Sequence, residues 1–183
     1  TASKNISIGR RALESNITGE DNVAIGYVSL FTNTVSNNTA VGSESMGCTS
    51  TGTSNTAIGM QSLCANTTGT SNVAVGASAL DANTTGNNIT AVGYNALTAN
   101  TTASSNVAFG AYVLAANTTG ASNVGLGKSA LEKNTTAADN VAVGAFSLRC
   151  NVTGANNTAV GSSALNVNLG SNNTAVGRHA MVS

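Results

Sequence analysis

The chain of 183 residues contains no proline and no tryptophan, and only 3% of it is aromatic. Charged residues make up 8%, against an average near 25% for globular domains. Net charge is zero. No basic patch is available to neutralise phosphates, which argues against a nucleic-acid partner. No apolar run approaches the ~20 residues that cross a bilayer as a helix, so no membrane span is expected. No secretory signal is legible, which fits a mature chain or an excised segment. A disordered chain would carry more charge and less Val, Ile and Leu. Acid–base and metal chemistry are short of raw material. The one histidine, His179, has no second imidazole to share an ion. Glu14, Glu20, Asp21, Glu44, Asp81, Glu132 and Asp139 are scattered and form no pair. The many Ser and Thr residues have no base at a motif spacing, and no Gly-rich stretch carries the Lys of a phosphate loop. The composition therefore predicts neither an enzyme nor a cofactor.

What the chain does have is one phrase, repeated. "NTAIGMQSLCANTTGTS", "NVAVGASALDANTTGNN" and "NVAFGAYVLAANTTGAS" begin at 55, 72 and 106. The glycine of N-x-A-[IV]-G falls at Gly9, Gly26, Gly42, Gly59, Gly76, Gly93, Gly110, Gly127, Gly144, Gly161 and Gly177. Every step is 17 residues except two of 16, shortened at "NTVSN" and "NLG" in the same polar half of the unit. A fixed short period marks a repeat architecture and outranks local propensity. Residues 1–183 read as a single array with no separate domain.

The columns give the fold class. Gly and Asn-Thr-Thr-Gly interrupt the chain every ten residues or so, too often for a sustained helical face. Short strands and tight turns fit, with Gly and Asn supplying left-handed corners. The prediction is all-β: a parallel β-solenoid, or β-roll, of about eleven 17-residue coils stacked ~4.8 Å apart. Positions one and three before each Gly are β-branched or apolar and share one strand face. Four residues after each Gly stands a Leu or Met. The expected core is therefore Val75, Leu80, Val92, Leu97, Phe109, Leu114, Val143 and Leu148.

Between the two β-branched positions lies an Ala, which alternation turns to the opposite face. Ala74, Ala91, Ala108 and Ala142 would then form a small, uncharged strip running the length of the rod. Monomers seldom leave such a strip open, so it is the expected contact face of a parallel homotrimer. Two Asn columns, one through Asn72 and Asn106 and one through Asn66 and Asn83, are expected to hydrogen-bond along the axis. The second also opens a series of N-x-[ST] sequons, an alternative glycosylation reading. Cys48 and Cys64 occupy neighbouring offsets in adjacent coils and are either free buried thiols or a bridge, with Cys150 left over. Both terminal phrases hold to the repeat, and Arg10, Arg11 and Arg178 are the one cap-like feature. No dedicated capping domain is expected.

"NVAVGASAL" and "NTAVGSSAL" resemble the head repeats of YadA-like trimeric autotransporter adhesins. The longer phrase N-T-A-[IV]-G-x-x-A-L-x-x-N-T-T-G is similar to repeat arrays of phage tail fibres. The resemblance covers the whole chain, although the adhesin unit is about three residues shorter and its anchor, stalk and chaperone domains have no counterpart here. It implies a left-handed β-roll, trimeric, in an extracellular fibre at a cell surface or on a virion. It further implies a structural or interaction role, with self-association and a host-cell receptor or glycan as partners. The alternative is ice binding through a threonine column, Thr68, Thr85, Thr102, Thr119 and Thr136, beside a second column one residue earlier.

Overall fold

The computed structural model describes residues 2–181. Eleven strands of three residues follow one another: β1 (Ile6–Ile8), β2 (Val23–Ile25), β3 (Thr39–Val41), β4 (Thr56–Ile58), β5 (Val73–Val75), β6 (Thr90–Val92), β7 (Val107–Phe109), β8 (Val124–Leu126), β9 (Val141–Val143), β10 (Thr158–Val160) and β11 (Thr174–Val176). They form one parallel sheet in sequence order. Pairing keeps the repeat in register, with Ala74 opposite Ala91 and Val75 opposite Val92. The fold is an all-β parallel solenoid, one coil per repeat. The described residues contain no helix, hence none long and apolar enough to cross a membrane.

Coil-to-coil hydrogen bonding continues around the turns. In one coil Val73 N–H donates to the Ile89 carbonyl at 2.8 Å, Leu80 N–H to Ala96 at 2.9 Å and Thr84 N–H to Thr101 at 2.8 Å. Backbone groups outside the short strands thus find partners one repeat away. That answers the demand that buried N–H and C=O groups be paired.

The strand parity is the reverse of the expectation. The Ala column points inward: Ala74, Ala91, Ala108 and Ala142 have zero exposure. Val75, Val92 and Val143 face outward and are half-buried, and Phe109 is 51% exposed. Leu80, Leu97, Leu114 and Leu148 lie in the core at zero exposure. The reason is volume. The interior already holds one large aliphatic and two asparagines per coil, and a strand of three residues sends one side chain inward or two. Two β-branched residues would overfill a space that one methyl fits.

Gly125 shows how tight that space is. It is the one glycine in the inward column, and a Cβ built there would stand 2.4 Å from Val113 Cγ1. Val113 is itself the largest residue in its column, where the other described coils carry Ala or Ser. The lost methyl at 125 makes room for the gained bulk at 113. Overpacking a close-packed core costs about 1–3 kcal/mol. Gly125→Ala is therefore expected to lower stability by that order, and Val113→Ala in the same chain to restore most of it. Urea denaturation of wild type, both singles and the double measures the coupling. Additive losses would show that the two positions do not share one volume.

Three non-glycine residues per coil have positive φ, as at Asn88 (57°), Asn95 (53°) and Leu97 (51°) in one turn. Asn tolerates this region, whereas Leu ordinarily avoids it. Each core Leu is held there by bonds on both sides. Leu97 N–H donates to the Val113 carbonyl, and the Leu97 carbonyl accepts from Asn100 N–H, each at 3.0 Å.

Candidate interaction surfaces

Inside the coil, the asparagines are committed. Asn123 Oδ1 accepts from Asn140 N–H at 3.0 Å, and Asn106 Oδ1 accepts from Asn123 N–H at 2.8 Å. The first column repeats this step along the rod until Ile89 interrupts it. There Ile89 N–H still donates to Asn72 Oδ1, but its side chain offers Asn106 N–H no acceptor. In the second column Asn83 Nδ2 donates to Asn66 Oδ1 and Asn100 Nδ2 to Asn83 Oδ1, both at 3.0 Å. The same amides reach the carbonyl three residues on, as Asn66 does to Gly69 at 3.0 Å. Asn66, Asn83, Asn100, Asn117, Asn134 and Asn151 have no solvent exposure. The sequons they open are thus unavailable for glycosylation in the folded coil. Thr49 occupies this column in the third coil, and its Oγ1 is the one buried side-chain polar atom without a partner among the described residues.

The outside is where a partner would have to be met. Thr68, Thr85, Thr102, Thr119 and Thr136 are all exposed. The threonines just before them are not free in the same way. Thr67, Thr84, Thr101, Thr118 and Thr135 donate their hydroxyls to carbonyls of the next coil at 3.0–3.3 Å. Both columns lie in a bend rather than a strand, so strand alternation does not govern them.

Charge is concentrated away from the middle of the rod. Arg11 pairs with Glu14 at 2.6 Å, and Glu132 with Arg149 at 2.9 Å and Lys133 at 3.4 Å. Partial burial works against the Glu132 carboxylate, but hydrogen bonds from Arg149 and Ser129 and the nearby positive charges hold it below the usual range. His179 is exposed in the last coil. No group of three or more His, Cys, Asp or Glu gathers among the described residues. Nor do those residues enclose a pocket.

All three cysteines are free thiols. Cys48 is exposed, contrary to the expectation of buried thiols, and Cys64 and Cys150 are half-buried. Burial first, then the neighbouring Cys48, Asp81 and Glu44, push the Cys64 thiol up to about 11. It stays protonated at neutral pH and is a poor nucleophile there.

No known protein family, curated protein or solved structure matches this chain. The surface itself must therefore carry the functional reading. Its most continuous feature is the outward strand face. Ile6, Ile8, Ile58, Val73, Val107, Phe109, Leu126, Val160 and Val176 are exposed on it. A second feature escaped the sequence reading. Tyr94 and Tyr112 stand one and two residues after their glycines, where most coils carry Ala, Ser or a polar residue. Their departure from the repeat was the signal that could have found them.

Proposed function

We propose that the chain is a structural and interaction segment of an extracellular fibre, at a cell surface or on a virion. It works as a left-handed β-roll assembled into a parallel homotrimer. The reading assigns neither catalysis nor a cofactor. The observation that carries it is the outward strand face. Eleven strands at ~4.8 Å, each ~10 Å long, give a strip of roughly 500 Å² in projection, apolar or β-branched at nearly every position. That is at the upper end of what monomers leave uncovered. Three rods packed on this strip would bury it. The resemblance to trimeric adhesin heads and tail-fibre arrays supports the same arrangement. The contact then runs through Val and Ile, because the Ala column is inside.

The test follows the corrected face. Val75→Asp with Val92→Asp places charges that a lone chain can keep in water and that a trimer must bury unpaired. Wild type is expected to sediment at three times the 17.9 kDa of one chain. The double variant is expected to sediment at one, with an unchanged circular dichroism spectrum. A monomeric wild type, or a variant that assembles normally, would sink the proposal. Ala91→Glu with Ala108→Glu does not discriminate, since those fully buried positions belong to the coil's own core.

Ice binding is the second reading, favoured by the exposed column Thr68, Thr85, Thr102, Thr119 and Thr136. Against it, the adjacent threonine hydroxyls are occupied by backbone carbonyls, which leaves one free column rather than two. Thermal hysteresis of the wild type, abolished by Thr102→Lys, would favour ice binding over the fibre.

A further inference from the structure

Six aromatic rings decorate this chain, and they fall into two sets. Three carry a guanidinium over the ring. Arg10 lies 5.9 Å from the centre of Tyr27, Arg11 4.4 Å from Phe31 and Arg149 5.5 Å from Phe146. Tyr94, Phe109 and Tyr112 have no such cover among the described residues, and they are 49%, 51% and 39% exposed. They sit within residues 82–127, a stretch with no Asp, Glu, Lys, Arg or His. Tyr94 and Tyr112 meet edge to face with centroids 5.3 Å apart. Their backbones are tied by Tyr112 N–H donating to the Tyr94 carbonyl at 3.0 Å. The coil's own backbone thus sets the two tyrosines side by side. Asn95 lies between them in the chain and is half-buried. Its backbone N–H donates to the Ala77 carbonyl at 3.1 Å, while its side-chain amide has no intramolecular partner among the described residues.

We propose that Tyr94, Asn95 and Tyr112 bind an uncharged polysaccharide. Exposed ring faces cover the C–H face of a sugar, while the tyrosine hydroxyls and the Asn95 amide match its hydroxyls. The absence of charge over this stretch complements a neutral polymer and gives nothing to an acidic or basic one. Size argues against a folded protein. Two rings of about 150–250 Å² each, less than half exposed, offer roughly 200 Å², well short of the ~800 Å² per partner of a stable protein interface. The lack of a pocket among the described residues suits a chain laid along a surface better than a small ligand, which would want a cleft. A second copy is a poor occupant. Packing between repeats would use residues that repeat, whereas these tyrosines break the pattern. The proposal deepens the fibre reading by naming a partner. It does not need the trimer, since Tyr94, Asn95 and Tyr112 lie past the glycine corner and outside the strands.

Affinity electrophoresis tests it, with dextran, a mixed-linkage β-glucan and a galactomannan as neutral probes and heparin and alginate as charged ones. At least one neutral polymer should retard the wild type. Tyr94→Ala with Tyr112→Ser should weaken that retardation at least tenfold. These replacements already occur at the same offsets in Ala77, Ala111, Ser78 and Ser163, so the coil is expected to fold. Tyr27→Ala, which removes a ring covered by Arg10, should leave binding unchanged. Sedimentation of the same samples separates a failed assembly from a failed binding. Retardation by charged polymers alone, no retardation at all, or retardation that survives the double variant overturns the proposal. Self-association that the double variant abolishes would also overturn it, by giving the patch to a second copy.

Discussion

Gly93→Ala is expected to be among the most damaging single-methyl additions to this protein. Gly93 has φ of +135°, where side-chain-bearing residues are strained, and its Cβ would stand 2.4 Å from the Gly110 carbonyl oxygen of the next coil. Strain and overpacking of about 1–3 kcal/mol each add here, because backbone cannot rotate away as a side chain does. The comparison variant is Gly69→Ala, in the other glycine column. Its built Cβ also meets close atoms, with Gly86 O at 2.5 Å, but its φ is not in the left-handed range. Moreover, Ala103 and Ala137 already occupy that column and are accommodated there. Urea denaturation should show Gly93→Ala losing several times more stability than Gly69→Ala. Equal losses would mean that crowding alone, and not φ, sets the first column.

The second large effect is expected at Asn123. Its Oδ1 accepts both Asn140 N–H at 3.0 Å and Asn140 Nδ2 at 3.1 Å. Asn123→Ala strands two buried donors, at about 1–3 kcal/mol each. Unfolding of a repeat array need not be two-state, so a local readout is preferable. Hydrogen exchange at the Asn140 amide should lose most of its protection while amides several coils away keep theirs. The opposite sign is expected for Thr49→Asn. There the other asparagine column, that of Asn66 and Asn83, lacks a member and Thr49 Oγ1 has no partner among the described residues, and a restored amide should add about 1 kcal/mol. If Asn140 stays protected in Asn123→Ala, the ladder is incidental to stability.

These positions also show what a sequence of this kind reveals. The coil period, the register and the Leu column were readable because like residues stack on like. Leu97 and Leu114 therefore announce each other across 17 residues. The Asn ladders were readable for the same reason. The inward face of the strand was not. A three-residue strand gives a single alternation, and choosing by hydrophobicity put Val75 and Val92 inside and Ala91 outside. What decides the face is the volume left beside Leu97 and the asparagines, a property of the assembled coil and not of "TAV". Positive φ at Leu97 was hidden too, because local propensity argues against it and only bonds to neighbouring coils impose it. The tyrosine platform was in view as an exception to the repeat. Its meaning needed the exposures, the edge-to-face contact and the guanidinium covers that the other rings have.

Each strand touches only its neighbours in the stack. Under a pull along the axis, the load therefore passes through the coils in series. The coil that yields first shortens the folded rod by ~4.8 Å and releases 17 residues, which reach ~56–61 Å when drawn out. A rod ~50 Å long would thus lengthen in steps larger than itself, one repeat at a time. The coils beyond the break would keep their shape. Such a chain dissipates tension as a tether does, giving up length in increments without losing its grip.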